Sequence, residues 1–146
     1  MDYLNLVSSF EENRTIKIDA VVMPANKTIL KTGRLLILDT GADTTALTRK
    51  YLNKIGYGRY RKSGKIKSTA TGTVELLTCE VNGLTLANQF NFGKMNVDVL
   101  ENWKAHTIAG VIGMDIISQL TLILSHKHKK FVLTDQDIPD LSKLFI

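Results

Sequence analysis

The fold class that the sequence predicts is all-β, a mainly β chain with one or two short helices, on three observations. Short runs rich in β-branched and aliphatic residues recur along its length. Ten glycines punctuate the sequence, while only two prolines interrupt it. A helical pattern stands out in one stretch alone.

The elements follow in order. Thr15–Met23 alternates polar and apolar, then turns wholly apolar, a strand signal, and Pro24-Ala25-Asn26 ends it. Arg34–Leu38 is a continuous apolar run between Gly33 and Gly41, the signature of an interior strand. Thr48 can cap a helix over 49–55, with Tyr51, Leu52 and Ile55 on one face and Gly56 past its end. So short a helix must be held by packing. Residues 65–77 read as a β-hairpin with a small tip at Ala70-Thr71-Gly72, and Asn82-Gly83 reads as a tight turn between strands. Phe90–Phe92 and Met95–Val99 are further strands, and Ile108–Gly113 is apolar and punctuated by glycine. Met114–Gln119 suits a single helical turn. Leu120–Leu124 and Phe131–Leu133 form a last hairpin over a His-Lys tip. No internal repeat is present.

With 146 residues the chain fits one domain, 1–146, with its core over about 15–133. A chain this long buries about 68–70% of its extended surface, enough for a core without staples. No run approaches the roughly 18 apolar residues of a membrane helix, and the first fourteen residues lack a signal-peptide pattern. The single cysteine, Cys79, has no internal partner, so a reduced, cytoplasmic setting is expected. Cys79 also lacks an adjacent histidine that would make it a nucleophile. Net charge is +5, but the basic residues are spread out, and a nucleic-acid-binding reading would explain the charge alone. The clusters at 59–67 and 126–130 read as solvated turns. His126 and His128 have no nearby cysteine or carboxylate to complete a metal site, so neither metal nor cofactor is expected. Trp103 and His106 carry no assigned role.

Chemistry concentrates at Asp39-Thr40-Gly41-Ala42-Asp43, where the interior strand ends on an acid and turns on glycine. Thr40 can hold such a loop through its hydroxyl, and Gly41 lets backbone N–H groups approach the carboxylate. Taken alone, Asp39 reads equally as an acid that caps its own turn.

Two further parts follow the Asp-Thr-Gly-Ala stretch in order: the hairpin with its glycine-containing tip, and Val111-Ile112-Gly113 followed by Asp115 and a helical turn. This ordered set resembles the retropepsin-like aspartic proteases, the compact kind similar to retroviral proteases and their cellular and bacterial relatives. The resemblance spans roughly Thr15 to Leu133. It implies an acid-protease β-barrel with one lobe per chain, active as a homodimer, hydrolysing polypeptides without a cofactor.

The chain holds one such Asp-Thr-Gly, so a two-carboxylate mechanism needs a second copy that sets Asp39 against itself. Two adjacent carboxylates share one proton, and aspartic proteases are the general example of this. One then activates a water while the other protonates the substrate carbonyl. Asp39, Thr40 and Gly41 are thereby the implied catalytic residues. Ala42, Asp43, the tip residues Ala70, Thr71 and Gly72, and the apolar Val111 and Ile112 are the implied substrate contacts. Ala42 lacks the hydroxyl that two-domain relatives carry there, which implies an activity optimum less acidic than that of stomach-type enzymes.

Retroviral members place an arginine after the late glycine to partner the acid equivalent to Asp43; here Met114 stands in that place. Asp115 is expected to hold a loop by hydrogen bonds rather than to do chemistry. The apolar end Leu144-Phe145-Ile146 resembles termini that build the dimer interface, or it packs on its own core. The alternative function is a catalytically silent retropepsin-like domain that dimerises and binds peptides.

Overall fold

The computed structural model describes residues 6–9, 15–103 and 107–136. The apolar end at 144–146 and His106 lie outside the described residues. Those residues form strands β1 (Leu6–Ser9), β2 (Lys17–Val22), β3 (Gly33–Leu38) and β4 (Ala46–Thr48), then helix α1 (Arg49–Lys54). A long pair follows, β5 (Arg61–Thr69) and β6 (Gly72–Val81), then β7 (Leu84–Leu86), β8 (Phe90–Phe92) and β9 (Met95–Leu100). The chain continues through β10 (Ile108–Ile112), α2 (Met114–Ile117), β11 (Thr121–Ser125) and β12 (Lys130–Thr134).

The strands make two sheets. The larger runs β5-β6-β9-β4-β10-β3-β2-β7-β8, and the smaller runs β1-β12-β11. The anticipated strands, helix and helical turn are present, with β5 and β6 longer than the sequence signal. The sequence signal had not marked β1 or β4. Asn82-Gly83 does turn the chain, but it does not close a hairpin. β6 pairs with β5 and β9, whereas β7 pairs with β2 and β8. The turn instead hands the chain from one end of the sheet to the other. The real hairpin there is β7–β8, whose turn holds Ala87 and Asn88 at positive φ, 51° and 55°. Two adjacent residues at positive φ match the twist of flanking strands.

Helix α1 follows its capping signal. The Thr48 hydroxyl accepts the Tyr51 amide at 3.2 Å, and Gly56 departs at φ 95°, a conformation that glycine adopts without steric penalty. Tyr51, Leu52 and Ile55 are buried and join Leu36, Leu47, Val81, Val97, Val99, Ile112 and Ile116 in the core. At six residues, α1 depends on this contact rather than on its own propensity.

The centre of the larger sheet is an exchange of direction. β10 pairs in parallel with β3 on one side and antiparallel with β4 on the other. The junction is tight at Gly110, where φ is 150° and an added Cβ would stand 1.9 Å from the Ala46 carbonyl oxygen. Gly110→Ala is therefore expected to destabilise the fold by at least about 3 kcal/mol, from backbone strain plus overpacking. Urea unfolding should show a lower midpoint at unchanged slope; a loss below about 1 kcal/mol would contradict the crowding.

Candidate active site

β3 lies between β2 and β10, so its backbone is paired on both sides and Leu36 is fully buried. The ladder runs one residue past the strand: the Asp39 amide donates to the Ile112 carbonyl at 3.0 Å. That bond fixes where the acid leaves the sheet. Beyond it the chain turns, with the Ala42 amide donating to the Asp39 carbonyl at 3.2 Å and the Gly41 amide to Asp39 Oδ1 at 2.9 Å. Asp39 thus caps its own turn with one oxygen, while Oδ2 has no partner among the described residues. The residue is half-buried. A Cβ at Gly41 would stand 3.2 Å from Asp39 Oδ1, so this position crowds the carboxylate if enlarged.

The rest of the loop is stitched to the turn between β10 and α2. The Met114 amide donates to the Ala42 carbonyl at 2.7 Å, and the Asp115 amide to the Asp43 carbonyl at 3.1 Å. Thr45, fully buried, donates its hydroxyl to Asp115 Oδ1 at 2.7 Å and accepts the Gly113 amide at 3.0 Å. Its own amide reaches the Asp115 carboxylate at 3.0 Å, and the Ile116 amide adds a bond of 2.9 Å. Asp115 is thus a structural acceptor whose bonds all go to the loop and its own helix. Gly113 makes the approach possible, since a Cβ there would come within 2.5 Å of the Thr44 carbonyl carbon. Thr40 does not hold the loop as its hydroxyl suggested. It is exposed at the turn and has no hydrogen-bond partner among the described residues.

A groove of about 510 Å³ opens beside this loop. Ala42, Asp43, Thr44 and Ala46 border it, together with Asp98, Val99 and Leu100 of β9 and Val111 of β10. The β5–β6 stem completes it with Lys65, Ile66, Lys67 and Leu76. Val111 and Ile112 separate here. Successive strand residues face opposite sides, so Val111 lines the groove while Ile112 is fully buried in the core. Ala70, Thr71 and Gly72 are exposed at the hairpin turn and do not line the groove. Asp43 lines it with an exposed carboxylate and makes no ion pair among the described residues. Met114 offers it no cation and packs against the core.

Two contributors carried no sequence signal. One is Thr45, whose importance depends on a partner 70 residues away. The other is Lys65, which sits at an irregularity in β5. Between the pairs Lys62↔Leu77 and Ile66↔Glu75, β5 takes up extra residues, and Gly64 adopts φ 79°. Such bulges re-aim side chains. Lys65 Nζ donates to Thr44 Oγ1 at 2.8 Å and lies 3.5 Å from Asp98 Oδ1, tying the hairpin stem to the loop.

Among the described residues no cluster of three or more His, Cys, Asp or Glu could hold a metal ion. Cys79 is buried, and burial pushes its thiol pKa up, away from the thiolate that a nucleophile needs. No helix among the described residues is long and apolar enough to cross a membrane.

The pattern of a family described as aspartyl protease matches residues 16–116, more than half of the chain. In structure the chain is similar to a retropepsin-like aspartic protease from Rickettsia conorii, with a TM-score of 0.63 and 15% identity over 88% of each chain. A second similarity is to the EIAV protease in complex with the inhibitor HBY-793. Its TM-score is 0.49 at 21% identity, covering 76% of this chain and 92% of that one. No curated protein matches the sequence.

The stitch gives a direct expectation. Thr45→Val keeps the shape of the side chain but leaves the Gly113 amide and Asp115 short of a partner in a buried site. A loss of about 1–3 kcal/mol is expected, with Thr45→Ser recovering most of it. Chemical denaturation of the two variants checks this; equal stability of Thr45→Val and the parent would contradict it.

Proposed function

The chain belongs to the aspartyl protease family and has a retropepsin-like fold, and from that premise we propose that it is an endopeptidase working through a dyad of Asp39 residues, one from each chain of a homodimer. The observation that carries this reading is the state of the Asp39 loop. One face is fastened to β10, α2 and the turn between them by six backbone and side-chain bonds, while the other presents an exposed Thr40 and a carboxylate oxygen without a partner among the described residues. A two-fold axis at this face would bring the same surface against itself, as isologous contacts do. Half of a catalytic pair is present in each chain, and the second copy supplies the other half.

In the dimer the two carboxylates share one proton, because placing two negative charges so close is unfavourable. The ionised member takes a proton from a water, and that oxygen attacks the scissile carbonyl. The protonated member gives its proton to the carbonyl oxygen. The amide nitrogen is then protonated as the C–N bond breaks, and the dyad returns to its starting state. Both titrations belong to the pair rather than to either residue.

The groove beside the loop is where an extended peptide would lie, with Val111, Asp98 and Leu100 against its residues and Asp43 within reach of its backbone. The β5–β6 hairpin acts as the lid, and its tip at Ala70-Thr71-Gly72 closes over the peptide and excludes water. Lys65 sets the root of that lid through Thr44.

Asp39→Asn is expected to reduce peptide cleavage by at least about a hundredfold while leaving the unfolding transition in place. Cleavage that survives the substitution would end the proposal, and an inactive parent that binds peptides tightly would favour a silent binding domain. The pH–rate profile should peak well above about pH 2, since Ala42 offers the dyad no hydroxyl. A profile with its maximum near that value would contradict the role given to Ala42.

A further inference from the structure

The geometry points to a second binding site, for a compact oxyanion of the phosphate type, in a recess formed by Arg34, Lys50, Lys54 and Trp103. The recess has a volume of about 190 Å³. It lies at the opposite end of β3 from Asp39, about 16 Å along the strand at its usual rise. It is separate from the groove beside the Asp39 loop, with which it shares no lining residue.

Charge is the first observation. Three cations line the recess and no acid does. None of the three forms an ion pair among the described residues. Two other basic residues do pair. Arg49, between them in sequence, is clasped by Glu101, and Lys65 faces Asp98. Asp19 borders a groove on the other side of Arg34 without pairing to it. Lys50 and Lys54 are one turn apart on α1, a spacing at which like charges repel. An anion between them would turn that repulsion into attraction.

Pre-organisation is the second observation. Arg34 Nη1 donates to the Gly33 carbonyl at 2.8 Å, and its guanidinium stands 5.6 Å from the centroid of the Tyr51 ring. Tyr51 is fixed in turn, since its hydroxyl donates to the Thr32 carbonyl at 2.7 Å and accepts the Val22 amide at 3.2 Å. The guanidinium is therefore held before any ligand arrives, which lowers the entropy lost on binding. Its remaining donors suit the planar, bidentate recognition of an oxyanion.

Size sets the ligand class. The volume falls below the roughly 300–1,000 Å³ of pockets for drug-sized molecules. It suits a phosphoryl group rather than a length of peptide. Trp103 lies at the rim and is partly exposed, so a ring attached to the phosphoryl group could stack on it. The phosphoryl group could thus come from free phosphate or from a mononucleotide.

Trp103 is the chain's single tryptophan, so its fluorescence reports on this recess alone. The full chain would be titrated with inorganic phosphate, and separately with adenosine monophosphate, at ionic strength held constant with sodium chloride. A saturable change in emission is expected, together with an increase of at least about tenfold in Kd for the double variant Lys50→Gln/Lys54→Gln. These two lysines are exposed, so the variant should fold, and its melting transition checks that it does. Tighter binding of the nucleotide than of phosphate identifies a stacked ring, and equal binding identifies free phosphate as sufficient. Emission that follows only total ionic strength, or a Kd unchanged in the double variant, would overturn the site.

Discussion

Thr45 is fully buried, and its hydroxyl donates to Asp115 while accepting from the Gly113 amide. The Asp39 loop takes its shape from this stitch. The loop has no hydrophobic anchor of its own between Asp39 and Thr44, where each residue is at least partly exposed. What holds it is a short series of polar bonds to one turn of the neighbouring strand and helix. In a dry setting such bonds are strong when complete and damaging when one partner is missing. Asp115 is the hub, because its carboxylate receives the Thr45 amide, the Thr45 hydroxyl and the amide of Ile116. A part-buried acid that accepts several N–H and O–H groups is compensated without a cation. The Met114 position therefore needs no arginine to keep this loop in place, although Asp43 is left without that partner.

The β3–β10 pairing sets the second constraint. A parallel ladder carries Leu36, Ile37 and Leu38 against Gly110, Val111 and Ile112, and Asp39 takes one further bond from the same ladder. The acid is fixed by backbone rather than by side-chain packing, which leaves one face of its carboxylate open. Close approach of β4 on the other side of β10 is possible because Gly110 has no side chain. Two glycines three residues apart, Gly110 and Gly113, thus bring three segments of distant sequence to one point. The hairpin is joined to the same point by Lys65, so the groove, the acid and the hairpin stem share one frame.

Much of this was legible in the sequence because local signals and the fold agree. The run Leu35–Leu38 between Gly33 and Gly41 marked an interior strand, and its end marked Asp39. Thr48 and Gly56 bounded a helix that forms as read. What escaped was set by distant pairing. β4 has three residues, too few to show a period, and is a strand because β9 and β10 flank it. Asn82-Gly83 carried a strong tight-turn signal and does turn the chain between β6 and β7, but the signal could not show that β7 pairs with β2 rather than with β6. Ala87 and Asn88 form the true hairpin turn without a glycine to announce it. Val111 and Ile112 look interchangeable in sequence, but strand alternation sends one to the groove and the other to the core. Thr45 and Lys65 are ordinary residues until the fold supplies their partners.

The central claim is that neither chain holds a complete site. Mixing experiments test it most directly, with parent chains and Asp39→Asn chains combined in varied ratios and left to exchange subunits. If each site needs Asp39 from two chains, cleavage should fall with the square of the parent fraction, to about one quarter in an equal mixture. A linear fall, to about one half, would mean that one chain suffices and would contradict the shared dyad.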